Sequence, residues 1–201
     1  MVVSLAWAIL FGFGLGLRHA TDPDHVVAIG TLLHREASPI RAARLAASWG
    51  LGHTLTFVTL GLLVVVAGLR LPSGFDRAAE GAVAIMLIGL GSWSIARAWR
   101  PPAQGALRWR PVVIGIVHGL GGSTAVALLA LTTIASRAGA LLYVALFCVG
   151  TVLGMVVLTV ALALPLGWSQ RRYGQVPRAF VVVLSLASIA LGVVVGLHVC
   201  A

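Results

Sequence analysis

The chain has 201 residues, 60% of them hydrophobic and only 9% charged, with a mean hydropathy of +1.05. Soluble domains carry about 25% charged residues, so this composition excludes a soluble enzyme, a disordered tail and a nucleic-acid-binding domain. The net charge of +9 does not reverse that reading, because the basic residues, all fourteen of them Arg, lie between apolar runs rather than in one patch. Cys148 and Cys200 both sit in apolar stretches, so neither a disulfide framework nor a thiolate zinc site is expected. An all-α integral membrane protein remains.

A membrane helix needs about 20 predominantly apolar residues. Cut on that rule, the sequence predicts six spans at 2–33, 45–69, 79–98, 112–135, 140–164 and 179–199, within one transporter-sized domain covering 1–201. The first is interrupted by a polar knot, Arg18-His-Ala-Thr-Asp-Pro-Asp-His25, centred on Asp22-Pro23. Segments rich in Pro, Gly and Ser separate the runs, among them Leu71-Pro-Ser-Gly74 and the stretch after Arg100. The N-terminal run has no positive charge before it and no clean cleavage site after it, so it reads as membrane segment rather than signal peptide.

Orientation follows from the arginines. The loops after spans one, three and five hold Arg35, Arg41, Arg44, Arg97, Arg100, Arg108, Arg110, Arg171, Arg172 and Arg178, against Arg70, Arg77 and Arg137 on the other side. The positive-inside rule then predicts a multi-pass protein of the cytoplasmic (inner) membrane with both termini outside.

The knot is expensive to bury, at about 2.5–3.5 kcal/mol for each central Asp. Such groups normally face a wet cavity and mark a pathway. On an ideal helix His19, Asp22 and His25 fall within about 120° of one face, while Asp24 points elsewhere. Pro23 cannot donate to the carbonyl of His19, so the helix should bend or open there, swinging Asp24 toward the other three and freeing a carbonyl. Imidazoles with carboxylates suit nickel, cobalt, copper or zinc and fit magnesium poorly. Arg18 and Asp22 are four apart, so Asp22 is either a ligand or the partner of Arg18.

Two further histidines fall inside spans: His53, within Trp49-Gly-Leu-Gly-His53, and His118. Beside the knot they join the candidate metal set of His19, Asp22, Asp24, His25, His53 and His118. His34 reads as a solvated boundary residue, and His198 with Cys200 ends the last span on the predicted outer side, with metal capture there as the alternative reading. Aligning His19 with His118 superimposes Gly16-Leu-Arg-His19 on Gly115-Ile-Val-His118, and the knot on 119–124. Each segment opens a set of three spans, which predicts a 3+3 inverted repeat with the site at the repeat interface.

His19-Ala-Thr-Asp-Pro-Asp24-His25 has the form H-x(4)-D-H, and Leu51-Gly-His53-Thr follows in the next span. Both resemble signatures of the nickel/cobalt transporter family, and the layout is similar to its short six-span nickel permease and urease-accessory members. The resemblance implies passage of Ni2+ or Co2+ as transported ion rather than prosthetic group, with His19, Asp24 and His25 essential and His53 contributing. Longer members have eight spans with the first motif in the second, and carry a later Gly-Phe-Asp-Thr motif. Gly121-Gly-Ser-Thr124 stands in its place here, without the carboxylate.

An intramembrane enzyme finds no support, since H-E-x-x-H is absent and His118 and Ser123 would point about 140° apart on one helix. A transporter or exporter of another small solute, with Arg18 as its ligand, and a non-transporting accessory of metalloenzyme maturation are the competing functions. Expected partners are the metal ion and the lipid bilayer, not nucleic acid; oligomeric state is not encoded in any motif.

Overall fold

The computed structural model describes residues 5–33, 38–99, 109–121, 134, 136–173 and 178–200. Among them seven helices form and no strand: α1 Leu5–His19, α2 Pro23–Leu33, α3 Pro39–Val65, α4 Phe75–Ala98, α5 Arg110–His118, α6 Arg137–Tyr173 and α7 Arg178–Cys200. Four of them, α3, α4, α6 and α7, are long and apolar enough to cross a membrane. The first apolar segment arrives as two shorter helices of 15 and 11 residues, α1 and α2. Of the fourth, residues 112–121 and 134 are described. His34, Arg35, the arginines at 100 and 108, and residues 122–124 of the second polar turn lie outside the described residues.

Prolines open three of the helices, where a missing N–H is harmless: Pro23 in α2, Pro39 in α3 and Pro111 in α5. The turn before α4 ends at Gly74, whose φ of 90° is a left-handed conformation that a side chain would strain. Helix α6 runs on through Pro165 to Tyr173, well past the expected limit at Leu164.

Glycine sets how the helices pair. Gly16 of α1 lies against the backbone of α6 at Phe147 and Thr151, and Gly115 of α5 lies against the backbone of α3 at Trp49 and His53. The reciprocal contacts are Gly150 of α6 on Phe13 and Leu17, and Gly52 of α3 on Val112 and Ile116. In the α4–α7 pair, Gly91 meets Ser185 and Ile189 while Gly192 meets Ala84 and Ile88. Small residues of this kind let membrane helices approach to backbone contact. Two side-chain hydrogen bonds cross between helices, Thr56 Oγ1 to the Ile116 carbonyl (3.0 Å) and Ser188 Oγ to the Leu87 carbonyl (2.9 Å).

The helices thus fall into two packed groups. α1, α6, α3 and α5 pack in succession, and α4 packs with α7; α5 touches α4, and α2 touches α4 and α7 as well as α6.

Candidate metal centre

The knot opens as its proline requires. Residues 20–22 leave the helix, held by Ala20 N–H to the Gly16 carbonyl (3.2 Å), Thr21 N–H to Arg18 (2.8 Å) and Asp22 N–H to His19 (3.1 Å). The His19 carbonyl, which Pro23 cannot serve, is therefore taken by Asp22 rather than left free. α5 ends in the same way at His118. Gly119 N–H bonds the Gly115 carbonyl (2.8 Å), Leu120 N–H bonds Val117 (3.2 Å) and Gly121 N–H bonds His118 (3.4 Å).

Four imidazoles meet between these two broken ends. His19 and His25 have ring centroids 4.5 Å apart, His25 and His53 5.2 Å, and His25 and His118 4.3 Å. All four are buried. Gly52 makes the meeting possible, since it lets α5 close onto α3 and carry His118 toward His53. Two donor groups result, His19–His25–His53 and Asp24–His25–His118, each with ligand atoms within 4.8 Å of one another. His25 belongs to both.

The carboxylates fix the rings. Asp22 Oδ2 lies 3.1 Å from His19 Nδ1, which donates to it and so turns a bare Nε2 inward. That Nε2 stands 2.8 Å from Nε2 of His53. Asp24 accepts from His25 at Oδ1, through both Nδ1 (3.1 Å) and the backbone N–H (2.9 Å), and from His118 Nε2 at Oδ2 (3.0 Å). One carboxylate thereby ties α2 to α5. The nitrogens left over, His25 Nε2, His53 Nδ1 and His118 Nδ1, are buried with no hydrogen-bond partner among the described residues. Orphaned buried nitrogens are costly unless something else occupies them. A carboxylate on the far nitrogen of an imidazole is the usual support for a metal-binding histidine.

All six residues singled out in the sequence thus come together, in different positions. Asp22 is outside both donor groups and orients His19; Arg18 is exposed and no ion pair joins it to Asp22 among the described residues. Two aromatic walls were not anticipated. Trp49 packs 5.2 Å from His25 and 5.5 Å from His118, and Phe147 packs 5.4 Å from His19. Trp49 was at least visible next to Gly50 and Gly52, whereas Phe147 lies in an unbroken apolar run with no signal around it.

Fold and centre define a class: a multi-pass membrane protein whose broken helices enclose a cluster of histidines and carboxylates. No protein-family model matches the chain, and no solved structure matches it. The chain is 28% identical over 208 residues to the urease accessory protein UreH of Bacillus sp. (strain TB-90), covering 95% of this chain and 91% of that one. This end-to-end relationship supports placing the chain in the nickel/cobalt transporter family, as the motifs at His19–His25 and His53 imply.

Proposed function

We propose that the chain carries nickel or cobalt across the cytoplasmic membrane through this centre. The observation that carries the reading is the convergence of Asp24 and four buried histidines from α1, α2, α3 and α5, three of them with an unpartnered ring nitrogen. His19, His25 and His53 serve as primary ligands with Asp24, Asp22 orients His19, and His118 closes the site from the facing half. The 2.8 Å between Nε2 of His19 and of His53 is a hydrogen bond, whose shared proton an incoming ion would displace.

The architecture we propose is six crossings in a 3+3 inverted repeat, with the first and fourth broken at the centre. Its support is a recurring register. The Gly16 and Gly115 contacts match under a shift of 99 residues in α1 and α5, and the turns at 20–22 and 119–121 keep the same shift. Sites at broken helices near the midplane are a recurring arrangement in secondary transporters. Both termini then share a face, which the arginine asymmetry puts outside.

The test is His25→Ala, Asp24→Asn and His118→Ala, with nickel binding and vesicle flux measured separately on protein confirmed to be folded. His25→Ala should abolish tight binding, because it removes the donor common to both groups. Asp24→Asn should weaken binding strongly, since an amide presents an NH2 to one of two imidazole N–H donors. His118→Ala should mainly slow flux. Binding lost in His118→Ala but intact in His25→Ala would refute the assignment.

The name of the Bacillus relative favours a second reading, an accessory that hands metal to an enzyme without moving it across the membrane. Purified vesicles separate the two, since only a transporter accumulates nickel without a partner protein.

A further inference from the structure

Beside the centre, a cleft of about 380 Å³ opens between α2, α4 and α7. Its walls are apolar, with Val83, Leu191 and Val194 among them, and its polar groups are Asp24, Glu80 and His198. The imidazoles of the centre are buried, while the side chain of Asp24 keeps 18% exposure, so the centre meets the cleft at its carboxylate.

Neither Glu80 nor His198 is explained by the fold. Glu80 is half-buried, yet has no hydrogen-bond or ion-pair partner among the described residues. It lies in the second turn of α4, whereas the favourable field of a helix N-terminus fades within the first. The chain has only five acidic residues, Asp22, Asp24, Glu36, Asp76 and Glu80. Two of them line this single cleft. His198 is exposed in the last turn of α7, and its Nδ1 donates to the Val194 carbonyl (2.9 Å). That bond fixes the tautomer and leaves Nε2 as a bare nitrogen donor.

We infer that this cleft is a second, weaker site for a divalent transition-metal cation, in which Glu80 and His198 capture the ion and Asp24 relays it to the buried imidazoles. Apolar walls around charges of one sign concentrate the field on an arriving cation. One imidazole and one or two carboxylates suit the same ions as the centre but supply fewer nitrogens, so the ion is held loosely enough to move on. The relay's direction rests on the transport reading above; the binding site does not.

The experiment uses the full chain, purified, with nickel alone as probe. Equilibrium binding of radioactive nickel should resolve a tight and a weak class of site. Glu80→Gln with His198→Ala should remove the weak class and keep the tight one, while His25→Ala should do the reverse. In vesicles the double variant should raise the KM for nickel about tenfold, the lower end of what electrostatic focusing contributes. A wild-type chain with one class of site, or a double variant that keeps both, overturns the vestibule and leaves the transport proposal standing. Absent flux with a weak class that still disappears in the double variant overturns transport and leaves the vestibule standing.

Discussion

At the residue scale, the centre depends on which nitrogen each imidazole turns inward. Asp22 decides this for His19, and Asp24 for His25 and His118. Asp22→Asn should therefore lower nickel affinity by about 10–100-fold, the usual loss when the group supporting a metal-bound histidine is removed, as read by calorimetric titration. Asp22→Glu, which keeps the charge on a longer arm, should recover part of it. If instead Asp22→Asn binds like wild type while Arg18→Ala does not, Asp22 has no orienting role. These six residues were legible in the sequence because charge inside a membrane span is rare enough to stand out. Their pairing was not legible. The spacing of Arg18 and Asp22 suggests a bridge only on a continuous helix, and residues 20–22 have left it. The bond from His118 to Asp24 joins residues that no local period relates. Glu80 escaped notice because a lone carboxylate near a helix start reads as a solvated residue until α7 is packed beside it.

At the element scale, the same glycines that let helices touch make them intolerant of any side chain. A methyl group at Gly16 would strike the Phe147 carbonyl, and one at Gly115 the Trp49 carbonyl. Backbone cannot yield as a side chain can, so Gly16→Ala and Gly115→Ala should each destabilise by about 1–3 kcal/mol, the range for overpacking. Gly14→Ala, on the open side of α1 with nothing within 4 Å, should be neutral or slightly stabilising. Thermal unfolding in detergent measures all three; equal midpoints would show that the close contacts do not hold the bundle together. The four long apolar helices α3, α4, α6 and α7 were readable from hydropathy alone, and the break at Pro23 from its missing N–H. The end of α6 was not, because Pro165 reads as a stop signal, whereas in the fold the helix continues past it to Tyr173. The glycine-to-backbone contacts were hidden too, since a glycine that packs and a glycine that turns look alike in a sequence.

At the scale of the whole molecule, the arginine asymmetry makes a prediction about sidedness. Reporters fused at Ser38, Gly105 and Gly174 should score cytoplasmic, and one after Ala201 should score outside; a cytoplasmic C-terminal reporter would reverse the topology and turn the Glu80–His198 cleft inward. The grouping of the helices has a mechanical consequence as well. α1 is locked to α6 by backbone contact at Gly16 and Gly150, α5 to α3 at Gly52 and Gly115, and α4 to α7 at Gly91 and Gly192, while α3 meets α6 at Gly50 mainly through the Met155 and Val152 side chains. None of these three pairs can part without prising main chain from main chain. The seam between the two groups is crossed by α2, hinged by the turn at 20–22, and by the contact of Gly121, just past α5, with Ala79 and Val83 of α4. His25 and Asp24 ride on α2, whereas His19, His53 and His118 ride on the larger block. On the transport reading proposed above, a small shift of one block past the other shears the coordination sphere itself, so the grip on the ion and the position of the blocks are one coordinate.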